Sequence, residues 1–361
     1  MTLIITDADV ERLLSMEECI EAMHTAFKDF SNGDAVNRPR VRYLARHSDP
    51  KLRYMANVHV GACPSVGIAC VRAGSSLLRP ASPENQRRSY ETPSGFNWGV
   101  VVLYSTETAE PLALMHEFYL SGLRVGATTG AAVRELTPKG ASTLGLFGTG
   151  KQARNAFEAI CAVRPITKAK IYSPNEEHKQ AFAAEMARQG IEVIAAKNAE
   201  EVVRGSDVVC AATNAMSAVF DGDWLTDGQI VVTTSNSDVT NKRSEADPKT
   251  FARARQVIVN DWESVIDSDQ TELLDPIEKG ILSREQVLEL GDVMAGKAKV
   301  QHDGEGILFF KNNSGLAIQF AAAAGIIIPK AIEEGKCKSI PTEWLGSDLN
   351  GYIEKGFRPS P

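Results

Sequence analysis

Between residues 142 and 261, short apolar runs alternate with segments of helical spacing, and this rhythm restricts the fold more than any other feature of the chain. The runs are "STLGLF" (142–147), "AKIYS" (169–173), "IEVIAA" (191–196), "DVVCAAT" (207–213), "QIVVTTS" (229–235) and "QVIVND" (256–261). Helical spacing marks "KQARNAFEAICAV" and "EEHKQAFAAEMARQ" between them, and "AEEVVRGS" reads as a short helix. Apolar strands separated by helices imply a parallel sheet covered on both faces. Six strands in about 120 residues match a doubly wound nucleotide fold in size and order. We place that unit at residues 121–308.

The flanks differ in texture. "MEECIEAMHTAFKDF" carries Met16, Ile20, Met23, Phe27 and Phe30 on one helical stripe. From about residue 38 to 118 the chain turns to short strands, "RVRYLA", "GIACVRA", "GVVVLYS" and "PLALMHE", with "STETAE" as a hairpin loop. The polar stretch 79–95 reads as a long loop, either ordinary and exposed or a lid over a site. "YLSGLRVGATTGAAVREL" (119–136) is helical and rich in small residues. The apolar segment Leu316–Ile328 is shorter than the roughly 18 residues that suggest a membrane span, and Gln319 interrupts it. It reads as a buried or interface helix. A second, α+β domain built from both chain ends, 1–120 and 309–361, follows from this division.

"LGLFGTGKQARNAF" (144–157) opens the alternating region. Gly148 and Gly150 stand where a dinucleotide turn needs them, directly after a strand and at the start of a helix. Gly148 permits the tight turn, Gly150 lets main chain approach a pyrophosphate, and Ala153 is small enough for the third, packing position. Thr149, Lys151 and Gln152 complete the cradle, whose free N–H groups open a helix. After the second strand, "IYSPNEEHK" has no acid at the place where a carboxylate would meet an adenosine ribose. Ser173, Asn175 and Lys179 could instead receive a 2′-phosphate, which favours NADP over NAD. Thr213 and Asn214, after the fourth strand, lie at the usual cofactor edge.

Other classes find little support. A net charge of −7 gives no electrostatic reason to expect a nucleic-acid partner. The N-terminus meets acids too soon for a signal peptide, and six scattered cysteines read as free thiols in a reducing cytoplasm. Neither the histidines nor the cysteines show zinc spacing, so no metal is expected; His59 and His116 read as structural. No G-x-S-x-G motif supports a serine hydrolase.

"LSGLRVGATTGAAVREL" leading into "LGLFGTGKQAR", then "SDVVCAATN" and "FFKNNSGLAIQFAAAA", resembles the ornithine cyclodeaminase/mu-crystallin family over residues 10–335. The resemblance implies a Rossmann domain plus a substrate domain that dimerises, so a homodimer is expected. It also implies hydride exchange between nicotinamide C4 and the α-carbon of a small amino acid or its imine. By the same resemblance Arg40 holds the substrate carboxylate, Arg124 faces the substrate or cofactor, and Asn312, Asn313 and Gly315 form the nicotinamide-side turn. Arg72 falls where many members carry a lysine; it can bind a carboxylate two-pronged but cannot shuttle a proton. Asp238 is the nearest candidate for the family's acid/base, with Asn236 as a polar substitute, because "TTSNSDVTNKRSEAD" departs from the family pattern. Three activities stay open: a reductase of a small imino acid, a true ornithine cyclodeaminase, and a nucleotide-holding protein without turnover.

Overall fold

The computed structural model describes residues 1–81, 89–237, 242–313 and 315–354. In chain order the strands begin with β1 (Thr2–Ile5), β2 (Val36–Asn37), β3 (Val41–Arg46), β4 (Arg53–Cys63) and β5 (Ile68–Arg79). There follow β6 (Ser89–Glu91), β7 (Trp98–Ser105), β8 (Pro111–His116), β9 (Thr143–Phe147), β10 (Lys168–Tyr172) and β11 (Glu192–Ala195). The last are β12 (Val208–Ala211), β13 (Ile230–Thr233), β14 (Ala254–Val259), β15 (Val287–Glu289), β16 (Ile307–Lys311) and β17 (Lys338–Ile340).

The alternating region forms the anticipated parallel sheet, in the order β11-β10-β9-β12-β13-β16-β14-β15. All residues of β12 and β13 are buried, as expected for strands covered on both faces. Two strands join the six read from sequence. β15 extends the edge, and β16, "ILFFK", inserts between β13 and β14. A five-residue apolar run carries no usable period, so its strand character emerges only from the two neighbours it joins. β16 carries the parallel sheet past residue 308.

The second sheet runs β17-β1-β8-β7-β5-β4-β2, with β3 also on β4 and β6 also on β5. Its longest pair is β4 with β5, and β4 has no clean alternation in "RYMANVHVGAC" to announce it. Along β5, buried Ile68, Cys70 and Arg72 alternate with Val71 and Ala73, which are exposed. Helices α1 (Asp7–Leu13), α2 (Met16–Asn32), α3 (Phe118–Leu136) and the helix Ala317–Glu334 pack around the inner face and one another. A capping box of Ser15 and Glu18 starts α2, which buries Ile20, Met23 and Phe27. Each of these large side chains contributes about 1.5–3 kcal/mol. The helix Ala317–Glu334 runs beyond Ile328 and packs within the subunit on α2, β4 and β5.

Helix α3 joins the two sheets by lying against α4 (Lys151–Val163). A Cβ on Gly126 would stand 2.5 Å from the Asn155 carbonyl oxygen, so the small residues of α3 are what lets the helices touch. All six cysteines are free. No helix among the described residues is long and apolar enough to cross a membrane.

Candidate active site

The glycine turn is built as its spacing demands. Gly148 has φ +106°, and a Cβ there would sit 2.3 Å from the Ala212 carbonyl oxygen. Gly150 caps α4 and faces open space. Ala153 is fully buried behind the turn. A cleft of about 920 Å³ opens beyond these residues, where β9 lies between β10 and β12 and the strand order reverses. Gly148, Thr149, Gly150, Lys151, Gln152, Ser173, Asn175, Thr213 and Asn214 all line it. The bare turn, the open α4 N-terminus and the unpartnered, buried Gln152 Oε1 together fit a dinucleotide's diphosphate.

Lys179 departs from the sequence reading. Its ammonium is buried, donating to the Ala196 carbonyl at 2.7 Å and pairing with Glu176 at 2.8 Å, and it does not line the cleft. The helix α5 (Glu176–Met186) turns that face inward, so position 178 points into the cleft instead. His178 and Arg154 line it together with Lys151, and Arg154 is paired with Glu185. Asn175 spends its side-chain oxygen on the His178 amide, capping α5 at 2.8 Å.

A second cavity of about 670 Å³ lies on the inner face of the mixed sheet and shares Lys151 and Gln152 with the cleft. Register places Arg72 on β5 directly opposite His59 on β4, and Arg72 Nη1 stands 3.2 Å from His59 Nδ1. The Nη2 of the same guanidinium pairs with Glu117 at 3.0 Å. Asn97 donates to the other oxygen of Glu117 at 3.2 Å. A Cβ on Gly99 would fall 2.1 Å from the Glu117 Cγ, so a glycine is required beside that carboxylate.

Arg124 stands behind this pair, on α3. Its Nη1 donates to Gln319 Oε1 at 2.8 Å, its guanidinium lies over Phe320, and its buried Nε has no partner. Gly315 is where Arg124 needs space: a Cβ would come within 2.4 Å of Nη2. Arg40 reaches Ser268 Oγ at 3.4 Å. Burial first, then Arg72, Arg124, Arg40 and Arg42, drive the His59 imidazole well below its usual range, so it is neutral. Of the three arginines named from sequence, Arg72 contacts this histidine, Arg124 bonds Gln319 and Arg40 bonds Ser268. Only Arg72 among them lines the cavity. Burial, with Arg72 second, lowers Arg124 to about 10, while Glu117 acts in the opposite sense; at neutral pH Arg124 stays charged.

Buried acids organise the strand ends between the two cavities. Glu245 accepts from Thr213 N (2.6 Å) and Oγ1 (2.7 Å), Thr234 N (2.9 Å) and Ser235 N (2.7 Å). Glu272 accepts from Thr233 Oγ1 at 2.9 Å and pairs with the fully buried Lys311. Asn312 and Asn313, expected on the nicotinamide side, spend their side chains internally. Asn312 donates to the Val125 carbonyl (2.9 Å) and Thr129 (3.0 Å), and Asn313 accepts from the Asn260 amide at 2.8 Å. They fasten β16 to α3 and β14, and neither lines a cavity. Asp238 lies outside the described residues, as does part of the loop 79–95.

Glu117, Asn97, His59 and Asn57 escaped the sequence reading. Glu117 had a signal: it precedes Arg124 by two helical turns, with Ser121 between them on the same face. His59 was read only as a structural histidine, because its importance lies in the residue opposite.

A model of the ornithine cyclodeaminase/mu-crystallin family matches residues 1–335. Delta(1)-pyrroline-2-carboxylate reductase of Bacillus cereus is 29% identical over 335 residues, covering 92% of this chain and 98% of that one. Among solved structures, Thermococcus litoralis Delta(1)-pyrroline-2-carboxylate reductase in complex with NADH and L-proline has a TM-score of 0.80 at 28% identity. That match covers 94% of this chain and all of the other. An archaeal alanine dehydrogenase dimer with bound NAD gives a TM-score of 0.79 at 27% identity, over 94% of this chain and 99% of that one.

Proposed function

Because the chain belongs to the ornithine cyclodeaminase/mu-crystallin family, we propose that it is an NAD(P)H-dependent reductase of a small imino acid, working at the α-carbon. The observation that carries this reading is the junction of the two cavities at Lys151 and Gln152. Lys151 and Gln152 border both spaces, so a dinucleotide held on the Gly148–Gly150 turn would lie beside the cavity that Arg72 and Glu117 line. The nicotinamide supplies the hydride when bound. Arg72 fixes the substrate carboxylate from the cavity wall and Arg124 adds positive charge behind it, and positioning of this kind lowers a barrier by several kcal/mol, up to roughly 7–11 in ideal cases. Asp238 remains the candidate acid or base after β13.

The cofactor is a nicotinamide dinucleotide, and we favour NADPH as the form used. Ser173, Pro174 and Asn175 leave no carboxylate at the end of β10, and Lys151 and Arg154 line the cleft as cations. The chain also works as a homodimer in this reading. The outer face of the mixed sheet sets Val60 opposite Val71, Val71 opposite Val102, and Ala73 opposite Val100. Val60, Val71 and Val100 are exposed there, an apolar patch that suits a second copy. Val71→Asp is then expected to convert dimer to monomer in light scattering.

The test mixes purified protein with NADPH or NADH and Δ1-pyrroline-2-carboxylate, iminosuccinate or keto acids with amines, and follows the reduced nicotinamide absorbance. Stoichiometric loss supports the reductase. Proline and ammonia from ornithine with trace NAD⁺ would instead reveal a cyclodeaminase, and silence in every vial a protein that holds nucleotide without turnover.

A further inference from the structure

We propose that Glu117 receives the reacting nitrogen of the substrate and keeps the imine in its protonated, hydride-accepting form. The proposal rests on the reductase reading above and assigns a residue to the nitrogen side of that reaction. A carboxylate buried among arginines that await a carboxylate ligand competes with that ligand and is costly to desolvate. Glu117 is nonetheless only 6% exposed, lines the cavity, and has its space cleared by Gly99. Its neighbours do not use it up: Asn97 gives it one hydrogen bond and Arg72 one ion pair. Glu91, also on the cavity wall, is bound to Arg79 at 2.8 Å.

Arg72 is correspondingly half-spent. Its Nη2 meets Glu117 and its Nη1 meets neutral His59, while its buried Nε has no partner. The cavity wall therefore presents a cation beside an anion, not a bare two-pronged clamp. An imino acid with a protonated nitrogen carries the matching pair, its carboxylate for guanidinium N–H and its N–H⁺ for the Glu117 carboxylate. With the hydride from NAD(P)H added to the imine carbon, the C=N π pair moves to nitrogen, which already holds its proton. The amine formed then takes a second proton from water. No proton has to move during hydride transfer.

The charged and titratable groups facing Glu117 are Arg72 from β5, His59 from β4, Arg124 from α3 and Lys151 from α4, with Tyr54, Tyr90 and Glu91 at the rim. Burial draws Lys151 down from the usual lysine range, so it needs its own control.

Turnover of Δ1-pyrroline-2-carboxylate falls as pH rises through the acid constant of the bound iminium. Glu117→Gln is expected to lower kcat about 100-fold and to move that alkaline limb down by about 1–3 on the pH scale. Glu117→Asp recovers part of both, and Lys151→Gln keeps the limb in place. Binding supplies a readout independent of turnover. In calorimetry with NADH present, which cannot accept a hydride from proline, Glu117→Gln weakens L-proline at least about tenfold more than cyclopentanecarboxylate, which has no nitrogen. An unmoved limb in Glu117→Gln, a limb lost in Lys151→Gln, or equal effects on the two ligands overturns the proposal while leaving the reductase intact. A wild-type enzyme silent on every imino acid overturns both.

Discussion

The parallel sheet offers its cleft through main chain at strand ends, whereas the mixed sheet offers its cavity through side chains in mid-strand. Gly148, Gly150 and the α4 N-terminus act by what they lack, a Cβ or a hydrogen-bond partner. Arg72 and Glu117 act by charge beside the neutral His59, and their alignment depends on the register of β4 with β5 and on the entry of α3. A main-chain site is coded by consecutive residues; a side-chain site of this kind is coded by residues far apart in sequence that meet across a sheet.

If that contrast is right, the sharpest break comes from adding one side chain to the turn. Gly148→Val has a β-branched residue at φ +106° with its Cβ against the Ala212 carbonyl. Strain of about 1–3 kcal/mol plus that clash should raise the NADH dissociation constant by roughly 100-fold or more in a fluorescence titration. Wild-type affinity in this variant would remove the turn from the binding account.

The cavity should respond less steeply, and in KM. Arg124→Ala removes a buried charge whose partner set includes Gln319 and an unpartnered Nε. Loss of a charge-assisted hydrogen bond, about 1.5–3 kcal/mol, predicts a 10- to 100-fold rise in KM for the imino acid. The NADH affinity should stay near wild type. A fall in cofactor affinity alone would show that Arg124 belongs to the other cavity.

The electrostatics of the mixed sheet predicts a pH signature centred on one histidine. His59 has its folded-state value depressed far below 6.5, so as pH falls below 6.5 the unfolded chain takes the proton first. Stability is then lost progressively down to the folded value, by up to about 1.4 kcal/mol per pH step. Denaturant melts at pH 6.5 and 5.5 should show His59→Gln losing less than wild type over that interval; equal losses would refute the assignment.

The smallest effect sharpens the nucleotide side. Lys179 is bound to Ala196 and Glu176 behind β10. Lys179→Met should leave the NADPH-to-NADH preference within about twofold, since a charge screened from the cleft contributes little there. A collapse of NADPH use would return Lys179 to the 2′-phosphate.

The comparison also accounts for what could be read in advance. The Gly148–Ala153 turn, its strand and its helix form one local unit, and their order in the chain implied their shape. Lys179 failed because a helix start one residue earlier or later decides which side chain faces the cleft. Asn312 and Asn313 failed for a related reason: a polar pair after an apolar strand serves a ligand or the fold according to what packs beside it, and here α3 and β14 do. Glu117 was legible as a helix-face partner of Arg124 but not as an ion pair of Arg72, because β5 is distant in sequence.

By itself the sequence determined the parallel sheet, the dinucleotide turn and the family, since each rests on periods and spacings within a few tens of residues. Only the tertiary structure decided which charges meet. Arg72 faces Glu117 and His59 because two strands paired in one register and a helix began beside them. Long-range geometry of that kind leaves no mark on any short stretch of chain.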